Sequence, residues 1–179
     1  PFRHRRALMS LSEPEANVPS MENQELLVDL HRHTDRQGPG GEAETLLALR
    51  LAGLDSSRLL EIADIGCGTG ASTLLLARAL KARIAAVDLM PMFIDELRRN
   101  ATVKGVADRI TPRVTSMDAL PFDDESLDLI WSEGAIYNMG FSNGIKAWRP
   151  YLRSGGVLAV SEITWLRDRK SGSAGMPRP

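Results

Sequence analysis

From position 57 onward, short apolar runs alternate with stretches whose apolar residues recur every three or four positions. The first pattern predicts buried strands and the second predicts helices with one inward face. The runs Leu59 to Ile65, Ala82 to Asp88, Arg109 to Thr115, Leu127 to Ser132 and Val157 to Ile163 read as five strands. A helix is predicted over 71–81, with Leu74, Leu75, Ala77 and Leu80 inward. Pro91 suits the first turn of the next helix, which runs to about Lys104 and stops at Gly105. The last predicted helix covers 142–152, with Ile145, Trp148 and Leu152 on one face and a bend at Pro150.

The first third of the chain lacks strand signals. Met21 to Arg36 carries Leu26, Leu27, Leu30 and His33 on one helical stripe. Gln37-Gly38-Pro39-Gly40-Gly41 breaks that pattern. A second helix is predicted over 42–52, with Leu46, Leu47, Leu49, Leu51 and Ala52 as its apolar surface and Gly53 as its cap. Residues 1–20 and 167–179 show no periodicity and read as unstructured. The expected organisation is a disordered segment 1–20, helices with a lid over 21–53, a core over 54–166 and a tail 167–179.

Strands alternating with helices predict an α/β fold: a doubly wound, Rossmann-like parallel sheet covered on both faces. Right-handed crossovers give the strand order 3-2-1-4-5. Ligands of such sheets bind past the carboxyl ends of the strands, where the order reverses. The glycine turn after Ile65, Asp88, Ser116-Met117-Asp118 and Ser132-Glu133 all follow strand ends. They are therefore expected around one crevice.

Length and charge narrow the partners. The 179 residues suit one domain, and 43% hydrophobic content supports a core. A net charge of −1 gives no reason to expect nucleic acid or an anionic membrane. No apolar run approaches the ~18 residues of a membrane helix, and no leader pattern is present, so the cytoplasm is the expected compartment. The single cysteine, Cys67, excludes an internal disulfide and reads as a small buried hydrophobe. His31 and His33 lie two apart on a helix and diverge, so no metal site is expected. Asp123-Asp124-Glu125 reads as a solvated acidic turn, and Trp148 as core.

The turn Gly66-x-Gly68-x-Gly70 joins the first strand to a helix. Glycine permits left-handed dihedrals and close backbone approach. The helix behind it presents N–H groups and a positive dipole end. Asp88 follows the last glycine by 18 residues, where a carboxylate can accept both ribose hydroxyls of an adenosine. The third glycine comes one residue early for the dinucleotide fingerprint, and Gly70-Ala71-Ser72 lacks the lysine of a phosphate loop.

With those residues in place, Asp64-Ile65-Gly66-Cys67-Gly68-Thr69-Gly70 resembles the first motif of class I S-adenosylmethionine (SAM)-dependent methyltransferases. Ser116-Met117-Asp118-Ala119-Leu120-Pro121-Phe122 is similar to their adenine-binding segment, Leu127 to Gly134 to their fourth strand, and Arg153-Ser154-Gly155-Gly156 to the turn before the fifth. The branch resembled is that of small-molecule methyltransferases related to ubiquinone and menaquinone biosynthesis. The resemblance covers about residues 37–165 and implies SAM as cofactor and a small molecule as methyl acceptor. It implies that Gly66, Gly68 and Gly70 cradle the methionine part and ribose. Asp64 would hold the amino end, Asp88 with Leu89 the ribose, and Met117, Asp118 and Ala119 the adenine. Ser132 and Glu133 would lie under the methyl donor, and Gln37 and Gly38 would belong to a lid. If the acceptor must lose a proton, Glu133, Tyr137, His31 and His33 are candidate bases.

Family sheets have seven strands, ending in a helix and an antiparallel hairpin that shape the acceptor pocket. Fourteen residues follow position 165 here, which is too few for these elements. The expectation is thus a truncated form lacking the final helix and hairpin, or a chain whose fifth-strand edge a second copy covers. The alternative to an active enzyme is a non-catalytic SAM-binding fragment or subunit.

Overall fold

A computed structural model of the chain describes residues 36–38 and 40–162. The helix expected over 21–36, apart from Arg36, lies outside these residues. So do His31, His33, Pro39, Ile163 and the segments 1–20 and 167–179.

The described elements are, in order, helix α1 (Glu42–Ala52), strand β1 (Leu60–Ile65), α2 (Ala71–Ala79), β2 (Ala82–Asp88), α3 (Pro91–Val103), β3 (Ile110–Val114), β4 (Leu127–Glu133), α4 (Phe141–Trp148) and β5 (Leu152–Ser161). The strands form one sheet in the order β3-β2-β1-β4-β5. Every neighbouring pair is parallel. β1 and β4 lie in the middle and are buried along nearly their whole length, which is why their sequences run apolar rather than alternate.

The core has two layers. On one face, Leu60, Ile62, Ile84, Leu129 and Trp131 pack with Leu76 of α2 and Ile94, Leu97 and Ala101 of α3. On the other, Ala63, Ile65, Val87, Leu127 and Ile130 pack with Ile136 and Trp148. In α3 the spacing of Ile94, Leu97 and Ala101 sets the inward stripe, and Pro91 opens the helix.

Three expectations are corrected. The last helix ends at Trp148, and Pro150 sits in a separate 3-10 turn, Arg149–Tyr151. Proline has no N–H to continue the helical ladder, so it ends the helix instead of bending it. β5 begins at Leu152, five residues before the expected start, and runs through Gly155-Gly156. Leu152 pairs with Leu127, and a register shift absorbs the glycines. In α1 the expected leucine surface is partly outward: Leu51 is 79% exposed, and the buried residue is Thr45. Ala48 and Leu49 make the packing contact with the core. Leu51, Ala48 and Ala52 instead line a groove of about 540 Å³ beside Val157 and Ala159 of β5.

At the amino ends of the strands, Asp128 ties the sheet together. Its carboxylate accepts hydrogen bonds from Arg58 (2.9 Å), the Glu61 amide (2.8 Å) and Arg153 (2.9 Å). Burial pushes its pKa up, but these donors outweigh burial and hold it below the usual carboxylate value. This end of the sheet is thereby fixed opposite the crevice.

Candidate active site

The carboxyl ends of β1, β2 and β4 meet at the glycine turn. Gly66, Gly68 and Gly70 all adopt positive φ, at 74°, 54° and 96°. What each missing side chain makes room for differs. A Cβ on Gly66 would lie 2.3 Å from the Ala135 Cβ, in the loop after β4. On Gly70 it would lie 2.2 Å from the Leu97 Cδ1, on α3. On Gly68 it would meet the Gln37 Oε1 at 2.3 Å. Two of the three glycines thus serve packing between elements. Gly68 is the one faced by a residue that precedes α1, Gln37.

The turn's amides are likewise engaged by the protein. Gly66 and Cys67 both donate to the Val87 carbonyl (2.8 and 3.0 Å), and Gly70 donates to Cys67 (3.0 Å). The Gly68 N–H donates to the Asp88 Oδ2 (2.9 Å). The Thr69 N–H donates to the Gln37 Oε1 (3.1 Å), and the Gln37 amide returns a bond to the Thr69 Oγ1 (2.8 Å). The N–H groups of Gly66 to Gly70 all have acceptors within the protein.

Asp88 ends β2. Its Oδ1 accepts from the Met90 N–H (2.9 Å), so each oxygen holds one backbone donor and keeps a further lone pair. Burial raises its pKa, and the amides of Met90, Gly68 and Leu89 oppose that. Leu89 beside it is exposed, as is Val114, which pairs with Asp88 across β2 and β3. The segment expected at the adenine follows β3 as a turn in which Ala119 donates to Ser116 (3.2 Å). Asp118 and Ala119 are exposed there. Trp148 is fully buried, and its indole N–H donates to the Met117 carbonyl (2.9 Å). The tryptophan read as core thus also fixes this segment.

Asp64 is buried beneath the turn and accepts a 2.5 Å hydrogen bond from Thr73. Burial raises its pKa to about 7, with help from Glu133 and Asp88 and opposition from Thr73 and Arg36. The folded protein therefore keeps a proton that the unfolded chain releases near pH ~3.9. Stability contributed by this group falls as pH rises from about 4 to 7, then levels off. We expect Asp64→Asn to flatten that fall. Urea midpoints of both proteins at pH 5 and pH 8 measure it, and an unchanged difference between them would refute the assignment.

Ser132 is fully buried, and its hydroxyl donates to the Ile65 carbonyl (2.8 Å), stitching β4 to β1. The Glu133 carboxylate is engaged on both oxygens. Arg36 donates to its Oε2, while Thr45 (2.8 Å) and the Trp131 indole (2.9 Å) donate to its Oε1. Arg36 and Thr45 were not singled out by sequence reasoning. Tyr137, in the 3-10 turn Ile136–Asn138 after β4, is 60% exposed. Cys67 is buried, which drives its thiol pKa up and leaves it unreactive. Gly38 lies beside the Glu133 backbone, where a Cβ would stand 4.0 Å from its carbonyl.

A family profile described as a methyltransferase domain matches residues 62–156. The chain is 34% identical over 120 residues to erythromycin 3''-O-methyltransferase of Saccharopolyspora erythraea, covering 66% of this chain and 39% of that one. It is 36% identical over 109 residues to demethylmenaquinone methyltransferase of Tropheryma whipplei, covering 60% and 43%. The chain thus spans well under half the length of these two relatives. A SAM-dependent methyltransferase from Geobacter sulfurreducens, solved with S-adenosyl-L-homocysteine, superposes with a TM-score of 0.67 at 20% identity, covering 86% of this chain and 59% of that one.

Proposed function

We propose, because this chain belongs to the methyltransferase-domain family, that it binds SAM in the crevice around the glycine turn and directs its methyl group to a small-molecule acceptor. The observation that carries this reading is Asp88. Its carboxylate stands at the end of β2, clamped by the Gly68 and Met90 amides, with a lone pair on each oxygen left for a ribose diol. The other groups suit the same ligand. Leu89 offers an apolar contact to a base, the Met117–Ala119 turn follows the neighbouring strand, and a cationic amino end brought near Asp64 would favour its ionised form.

When bound, SAM supplies a methyl group already activated on a sulfonium. The chain's own part is to orient that group and exclude water, which can contribute about 7–11 kcal/mol. Gly66, Gly68 and Gly70 would shape the cradle, and Gln37 and Gly38 would cover it. Glu133 is held by three donors, so it serves better as an anchor than as a base. Tyr137 is the candidate for contact with the acceptor and for taking its proton. The outer edge of β5 pairs with no described strand, and we place contact with a second copy there. No described helix is long and apolar enough to cross a membrane, and we place the protein in the cytoplasm.

Calorimetry with SAM, followed by turnover on a panel of quinols and polyketide alcohols, tests the reading. We expect SAM to bind and S-adenosylhomocysteine to accumulate with at least one acceptor. Binding without product on any acceptor would favour the alternative, a non-catalytic SAM-binding subunit. Binding of NAD(P) but not SAM would overturn both.

A further inference from the structure

Residues Arg36 to Gly38 cross from the end of β4 to the glycine turn, and two sets of bonds fasten them. At one end Arg36 pairs with Glu133 and donates to the Thr45 Oγ1 (2.7 Å). Thr45 in turn lies 2.8 Å from the Glu133 Oε1 and 3.1 Å from the Gly41 carbonyl, so its one proton has two acceptors in reach. The Trp131 indole completes the cluster. At the other end Gln37 makes its two reciprocal bonds to Thr69 and fills the space left by Gly68.

The cluster is well shielded. The Arg36 and Glu133 side chains are 16% and 17% exposed, and Thr45 and Trp131 only 1%. A shielded ion pair is a weak source of net stability, because desolvation offsets most of its attraction. Its partners are instead fixed in one arrangement, since every alternative leaves a charge without a counterpart. Glu133 is fixed by β4, and Thr45 by the first turn of α1. Arg36 is the member whose backbone neighbour reaches the turn.

We propose that Arg36, Thr45 and Glu133 are positioning residues, forming a clasp that sets the Gln37 carboxamide on Thr69 and so closes the glycine turn at Gly68. Through Gln37 the clasp governs how tightly the turn holds a ligand. That second statement rests on the reading of the crevice as a SAM site, whereas the clasp itself does not.

The test therefore has a ligand-free arm and a ligand arm. In the first, amide hydrogen exchange is followed by NMR in the full chain without SAM. Arg36→Gln and Glu133→Gln are expected to speed exchange of the Thr69 amide at least tenfold. The Gly66 and Cys67 amides, bonded to Val87, should keep their rates. Thr45→Val, which keeps the ion pair, should give a smaller rise and supplies a milder variant should the others fold poorly. Arg36→Lys should restore part of the protection. Unchanged Thr69 exchange in well-folded variants would overturn the clasp. In the second arm, SAM affinity should fall about equally in Glu133→Gln and Gln37→Ala, with no further loss in the double variant. Additive losses would show that Glu133 acts independently of Gln37 and would overturn the proposal. Failure of the unaltered protein to bind SAM would instead refute the cofactor reading and leave the exchange result to decide the clasp.

Discussion

Gly70→Ala is expected to destabilise the protein by about 2–5 kcal/mol. Two effects combine. Gly70 has φ 96°, where any side chain strains the backbone by about 1–2 kcal/mol. The new Cβ would also stand 2.2 Å from the Leu97 Cδ1 and 3.3 Å from its Cγ. Leu97 is fully buried against the sheet, so it has little room to rotate away, and overpacking of this kind costs about 1–3 kcal/mol. For a chain of this size the melting temperature should drop by roughly 10 °C. The clash can be isolated by shortening its partner. Leu97→Ala alone leaves a cavity and should cost about 2–5 kcal/mol. Combined with Gly70→Ala, the new methyl occupies part of that space, so the double variant should lose less than the two singles together. Urea titrations of the four proteins complete the cycle. Strictly additive losses would mean that backbone strain alone sets the cost and that Leu97 does not determine the identity of residue 70.

Asp88→Asn is expected to weaken SAM binding at least tenfold although the side chain keeps its shape. The carboxylate accepts from Gly68 on one oxygen and from Met90 on the other. A carboxamide has one acceptor end only, so its NH2 must face one of these N–H donors. The ribose hydroxyls would also lose a charged acceptor, and a bond to a charged group contributes about 1.5–3 kcal/mol. At about 1.4 kcal/mol per tenfold, this predicts ten- to hundredfold weaker binding. Calorimetry at 25 °C reads the affinity, and a thermal melt in parallel confirms that the variant is folded. Unchanged affinity in a folded variant would remove Asp88 from the ribose role.

The elements legible in the sequence are those whose cause is local. β2 begins and ends where its apolar run does, Ala82–Asp88. Pro91 opens α3, and Gly53 caps α1 in the left-handed conformation. The strand order follows from the handedness of the crossovers. Elements set by distant partners were misread. Gly155-Gly156 looks like a turn, yet pairing with Leu127 and Leu129 of β4 carries β5 through it. Thr45 is a polar residue among leucines, and its burial is decided by Arg36 and Glu133, 9 and 88 positions away. Glu133 reads as a candidate base at a strand end, and only the folded chain brings its three donors to it. The turn's glycines were recognised as a set, but Ala135, Gln37 and Leu97, which require them, have no mark in the local sequence.

The amides from Gly66 to Gly70 bond within the protein itself. Such a turn is preorganised, so a ligand that docks on it incurs little loss of loop entropy. The same arrangement separates the motif's inheritance from its use. Gly66 and Gly70 are required by Ala135 and Leu97, so folding alone would preserve them in a descendant that had lost all chemistry. If the proposed site is right, drift at Asp88, Gln37 and Tyr137 among relatives of this chain would record a change of activity well before the glycines did.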